Sequence, residues 1–95
     1  MAANKNALLR EVLFRLSCRR GSFPLMPELG SRLYLLFREK PSARNMAARQ
    51  YAAEALEGLD LTVESAAVTM LSGGTAKVQV SITYEGENLA LEVTV

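Results

Sequence analysis

The sequence predicts an α+β domain, with three helices packed on one face of a three-stranded antiparallel meander. Three observations predict it. Apolar residues recur at helical spacing over the first 60 residues. The period then changes to two in the last third. Glycine-bearing turn signals at Ser72-Gly73-Gly74 and at Glu85-Gly86-Glu87-Asn88 separate the alternating segments. With 95 residues, 49% of them hydrophobic and 22% charged, the chain is expected to be a single domain over residues 1–95 with a modest core of its own.

The first helix is expected over residues 6–18. Leu8, Leu9, Val12, Leu13 and Leu16 form one broad apolar arc, and Asn6 is placed to cap its start. Phe14 falls outside that arc, beside Arg10, and is a candidate partner contact. A second helix is expected over 31–39, with Leu33, Leu36 and Phe37 inward and Arg32 and Arg38 outward. Lys40-Pro41 breaks it, and Ser42 can cap a third helix over 42–58 that ends near Gly58. Ala47, Ala48, Tyr51, Ala52, Ala55, Leu56 and Leu59 make up its apolar arc. So many alanines predict a helix that lies close to whatever it packs on.

Strands are expected over 61–71, 75–84 and 89–95. In the first, Ser65-Ala66-Ala67 disturbs the alternation and marks a bulge. The second has the cleanest period, with Ala76, Val78, Val80, Ile82 and Tyr84 on one face. In the third, Leu89, Leu91, Val93 and Val95 share a face, and Val93-Thr94-Val95 is an edge candidate if that strand is outermost.

Between the first two helices lies the stretch Arg19-Arg20-Gly21-Ser22-Phe23-Pro24-Leu25-Met26-Pro27-Glu28-Leu29-Gly30, with two of the three prolines and two of the six glycines. Gly21 can take positive φ at the helix end, Pro24 and Pro27 pin the turn, and Gly30 allows a conformation closed to most residues. It reads as a shaped connector.

Catalytic chemistry is hard to assemble from this chain. Histidine is absent, which removes the commonest general base and metal ligand. Cys18 is the single cysteine, so no intrachain disulfide can form, and a small buried or half-buried thiol is expected there. Glu54 and Glu57, three apart, read as a solvated helix face. Glu28 with Asp60 or Glu64 has no spacing that recommends it as a glycosidase pair. Gly73-Gly74 lacks the lysine and hydroxyl of a phosphate loop. No enzyme, cofactor or metal is expected.

Charge is unevenly spread. Residues 1–50 hold ten Lys and Arg against three Asp and Glu, a net +7, whereas residues 51–95 hold one Lys against seven acids, a net −6. Such polarity suits docking in a fixed orientation, attraction between the halves, or a basic surface for nucleic acid. Arg10, Arg15, Arg19, Arg20, Arg32 and Arg38 would form that surface. No nucleic-acid motif accompanies them, and the exposed sheet face has only Lys77. A small basic module for nucleic acid or an acidic protein is thus the alternative reading. No run reaches the roughly 18 apolar residues of a membrane span, and the first six residues do not read as a signal peptide. A soluble intracellular protein is expected.

Several of these residues resemble one family. Asn6-Ala7-Leu8-Leu9, Arg19-Arg20-Gly21-Ser22, Pro27-Glu28-Leu29-Gly30 and a short helix ending in Phe37-Arg38-Glu39 look like the baseplate wedge family of contractile phage tails. That family includes the gene twenty-five product of the T-even phages and a type VI secretion protein. The likeness covers about residues 6–95 and is most specific at Arg20-Gly21 and Pro27–Gly30. It implies a non-enzymatic structural subunit of a phage or prophage baseplate. Its partners would be wedge and sheath proteins, in an oligomeric assembly, with strand pairing on which the sheath starts. It would reside in the virion tail, and in the host cytoplasm before assembly. It also implies that Arg19, Arg20, Gly21, Pro27, Glu28 and Gly30 shape or contact the docking region. Asp60-Leu61-Thr62 stands where the family commonly has Glu-Pro-Arg, so Asp60 keeps the acid while the proline and arginine are gone.

Overall fold

The structure is a computed structural model that describes residues 5–95. Residues 1–4, read above as no signal peptide, lie outside the described residues. Helix α1 (Lys5–Ser17) is followed by the connector, a 3-10 helix (Leu33–Arg38), a 3-10 turn (Pro41–Ala43) running into helix α2 (Arg44–Ala55), and strands β1 (Thr62–Leu71), β2 (Thr75–Tyr84) and β3 (Glu87–Thr94). The strands form an antiparallel meander in the order β1-β2-β3. Their helix-facing side is closed by Val12 and Leu16 of α1, Leu33 and Leu36 of the 3-10 helix, and the alanines of α2.

β2 sits in the middle and follows its expected bounds. Ala76, Val78, Val80 and Ile82 are buried, and the residues between them face the other way. β1 keeps the predicted irregularity, but the register shifts one step earlier, between Val63 and Ser65. Glu64 is the unpaired residue there. β3 starts two residues before expectation, because Glu85-Gly86 alone makes the turn between Tyr84 and Glu87. Both turn residues have positive φ, 52° and 80°, as the tightest hairpin demands. Val95 extends the ladder, exchanging both backbone bonds with Ala76 at 2.8 and 2.9 Å.

The helices depart from expectation at their ends. α1 already includes Lys5, so Asn6 lies inside the first turn and is not its cap. Leu13 is exposed, which leaves Val12 and Leu16 as the buried residues of α1. The segment expected as an α-helix over 31–39 is a 3-10 helix, with Leu35 N–H bonded to Arg32 C=O and Glu39 N–H to Leu36 C=O. Its ends are fixed by pairing of Ser31 and by Pro41, and a 3-10 coil covers more length per residue than an α-helix. The change of period also corrects Phe37. In a three-residue repeat Leu33 and Leu36 share the inner face, while Phe37 is turned outward and exposed.

Ser42 lies within the Pro41–Ala43 turn, and Ala43 precedes α2 with no side-chain cap. Regular α-helix stops at Ala55, and a looser turn carries the chain to Gly58 at φ 91°. Within α2, Ala48 and Ala52 are fully buried with Ala55 close behind. Small side chains let the helix backbone come close to β1.

Candidate docking surface

The connector is a closed loop with a locked neck. Arg19 and Ser31 pair in parallel, with Arg20 N–H donating to Ser31 C=O at 2.9 Å and Ser31 N–H to Cys18 C=O at 2.8 Å. Ser31 is buried, and its hydroxyl donates to Leu16 C=O at the end of α1 at 2.8 Å. Gly30 makes this closure possible. Its φ is 106°, and a Cβ there would lie 2.8 Å from Cys18 O and 2.9 Å from both Arg19 C and Arg20 N. Only glycine lets the two strands of the neck approach so closely.

Gly21 also has positive φ, 91°, but open space surrounds it. It serves a turn in which Ser22 N–H and hydroxyl both donate to Arg19 C=O, at 3.2 and 2.6 Å. Beyond it, successive turns bond Met26 N–H to Phe23 C=O and Leu29 N–H to Met26 C=O, both at 3.0 Å. Residues 21–28 are all exposed.

Between the second half of the loop and the C-terminal end of α2 lies an open cleft of about 440 Å³. Arg20, Pro27, Glu28 and Gly30 line it, four of the seven residues singled out from sequence. Gly21 is absent from its walls. Arg19 points elsewhere, with its guanidinium 4.4 Å from the centre of the Tyr34 ring. Asp60 is exposed at the bend before β1 and is not among the cleft residues.

Sequence reasoning missed Arg15, Met26, Glu54 and Glu57 as walls of this cleft. The helical wheel puts Glu54 on a solvated face, but its side chain is largely covered and Arg32 reaches it at 3.5 Å, while its Oε1 has no hydrogen-bond partner among the described residues. Glu57 stands in the turn after α2, and Arg15 donates to its carbonyl at 3.1 Å while paired with Glu11 at 2.8 Å. No one-dimensional period could bring Arg15 to a carbonyl 42 residues away. The Arg20 Nε atom is out of water with no hydrogen-bond partner among the described residues, an uncommon state for a charged donor.

The two sheet edges differ sharply. At β1, Asn45 Oδ1 accepts from Val68 N–H at 2.9 Å, and Arg49 Nε donates to Glu64 C=O at 3.2 Å. Asn45 and Arg49 are one turn apart on α2, so a single helix face holds that edge at Val68 N–H and Glu64 C=O, while Ala66 and Met70 stay without a hydrogen bond among the described residues. At β3, the Ala76–Val95 pair exchanges both bonds. Alternation along an antiparallel ladder then turns Val93, Leu91 and Leu89 toward β2, and aims the N–H and C=O of Thr94, Glu92 and Ala90 outward. Among the described residues no hydrogen bond reaches those outward groups. The edge predicted at Val93–Val95 is therefore real and extends back along the strand.

Among the described residues no helix is long and apolar enough to cross a membrane. No family model matches the chain. Nor does any curated protein match it. Among solved structures, the chain is similar to the crystal structure of a "putative tail lysozyme" from Geobacter sulfurreducens. The superposition has a TM-score of 0.69 at 12% sequence identity and covers 100% of this chain and 92% of that one. At that identity the likeness shows a shared fold, with the α+β arrangement common to both along their length.

Proposed function

We propose that this chain is a structural subunit of a phage-type contractile tail, seated in the baseplate, where it docks a neighbouring protein by accepting a strand along β3. The observation that carries the reading is the difference between the edges. One is stapled by Asn45 and Arg49, and the other presents Ala90, Glu92 and Thr94 unpaired. The shared fold with a protein described as a "putative tail lysozyme" supports the tail part of this reading, and the motif resemblance at Arg20-Gly21 and Pro27–Gly30 supports the baseplate part. Wedge and sheath proteins are the proposed partners, in an oligomeric tail of phage or prophage origin.

The test is co-purification with the tail proteins encoded beside this chain, with Ala90→Pro as the discriminating variant. Proline at an outward position removes a docking donor and sacrifices no bond to β2. The expected result is a folded variant that has lost its partner. A parent chain that binds none of those proteins, or an Ala90→Pro variant that binds as well as the parent, defeats the proposal.

The cleft favours one second reading. Glu28, Glu54 and Glu57 line it together, and glycoside hydrolysis uses two carboxylates across a cleft. Lysis of peptidoglycan by the purified chain, abolished by Glu28→Gln, would support that reading. A structural role without catalysis remains our proposal, because one of the three carboxylates, that of Glu54, is already ion-paired with Arg32 at 3.5 Å. A phosphate-binding role is weakened by internal use of three of the six arginines of the basic surface. Arg15, Arg19 and Arg32 are held by Glu11, Tyr34 and Glu54. Retardation of oligonucleotides at low salt would restore it.

A further inference from the structure

We propose that the tip of the connector, Phe23 to Met26, is a preformed apolar plug that seats Leu25 in a pocket on a protein partner. Leu25 is 95% exposed and Met26 57%. Phe14 and Phe23, 46% and 38% exposed, continue the patch onto α1, with ring centres 6.3 Å apart. Isolated exposed apolar residues are ordinary, but four joined through one loop and one helix form a surface that water disfavours.

The loop is built to hold that surface still. Its neck is closed by the Arg20–Ser31 and Ser31–Cys18 bonds, and Gly30 is packed against the opposite backbone. Consecutive turns from Phe23 to Leu29 shape the tip, and Pro24 and Pro27 restrict the backbone on either side of Leu25-Met26. The ordering cost of presenting Leu25 is thus met during folding and not again on binding.

The rim selects the kind of partner. Arg10 lies one helical turn before Phe14 and is exposed, and Glu28 is exposed two residues after Met26. Neither is in an ion pair among the described residues. A rim with both signs is matched by a protein pocket flanked by a carboxylate opposite Arg10 and a cation opposite Glu28. An anionic bilayer would attract the first and repel the second. The inference stands on this geometry and does not depend on the tail reading.

Position 25 tolerates replacement because its side chain packs on so little. A photo-crosslinking phenylalanine analogue at position 25, in cells of the organism that encodes the chain, is compared with the same analogue at exposed Gln50 on α2. The expected result is one protein adduct at position 25 that is absent at position 50, joined through an apolar peptide. With that protein purified, Leu25→Asp should weaken binding by about tenfold or more. Adducts with lipid or with a second copy of the chain overturn the plug. So does the absence of an adduct beyond the position-50 background, or binding undiminished by Leu25→Asp. An adduct with a tail protein supports both proposals. An adduct with a protein unrelated to tails supports the plug and counts against the tail reading.

Discussion

Gly30→Ala is the sharpest probe of the connector. At φ 106° an alanine is outside its allowed regions, which costs about 1–3 kcal/mol by itself. The new methyl would also lie 2.8 Å from Cys18 O and 2.9 Å from Arg19 C and Arg20 N. All three are backbone atoms and cannot swing away. Relief requires opening the neck, which gives up the Arg20–Ser31 and Ser31–Cys18 bonds, each worth about 1 kcal/mol net. The combined loss is about 3–5 kcal/mol, against a total stability of about 5–15 kcal/mol for a domain.

Gly21→Ala is the matched control. Its φ of 91° imposes a similar backbone penalty, but nothing lies within 4 Å of the added carbon. Thermal and urea unfolding should show Gly30→Ala lowering Tm by roughly 15 °C or more, and Gly21→Ala by roughly 4–8 °C per kcal/mol of its smaller loss. Hydrogen exchange at the Arg20 and Ser31 amides should quicken in the first variant only. Equal destabilisation by the two variants would refute the argument that close approach at the neck, beyond φ alone, requires Gly30.

Three further predictions concern other parts of the fold. Glu85 is the one non-glycine at positive φ among the described residues, so Glu85→Gly should raise stability by about 1 kcal/mol in denaturant titrations. Replacing Asn45 and Arg49 together by alanine should bare the β1 edge and produce stronger concentration-dependent association in sedimentation than the parent chain shows at the same concentration. Partial burial, then the hydrogen bond to Glu39 at 3.0 Å, raises the Tyr51 phenol above its ordinary pKa of 10.0. The folded chain then holds this proton longer than the unfolded one. Its contribution to stability is complete below pH 10.0 and is lost as pH rises through the higher folded value. Tyr51→Phe should flatten that alkaline loss in pH-dependent melting, and an unchanged slope would count against the assignment.

The strands were the most legible part of the sequence, because a period of two survives any tertiary context that keeps one face buried. β2 follows its alternation from Thr75 to Tyr84, and the disturbance near Ser65 pointed to a bulge one residue away. The helices were legible in number and less so in kind. Whether Leu33–Arg38 winds as α or 3-10 depends on the distance between two fixed ends, and no local pattern encodes that distance. Gly30 and Gly21 look alike in sequence, yet only Gly30 meets opposing backbone. The cleft was half visible: Arg20, Pro27, Glu28 and Gly30 come from one stretch, whereas Arg15 and Glu57 meet them through folding.

The unequal edges also set a valence. A sheet open on both sides can add strands in two directions and grow into a ribbon without end. Here Asn45 and Arg49 of α2 obstruct one direction, so in the docking mode proposed above strand addition would be directed to β3. On that proposal the chain would act as a terminator, ending a β-ladder or starting one. In an assembly that must have a fixed number of parts, such a limit on growth would supply the counting.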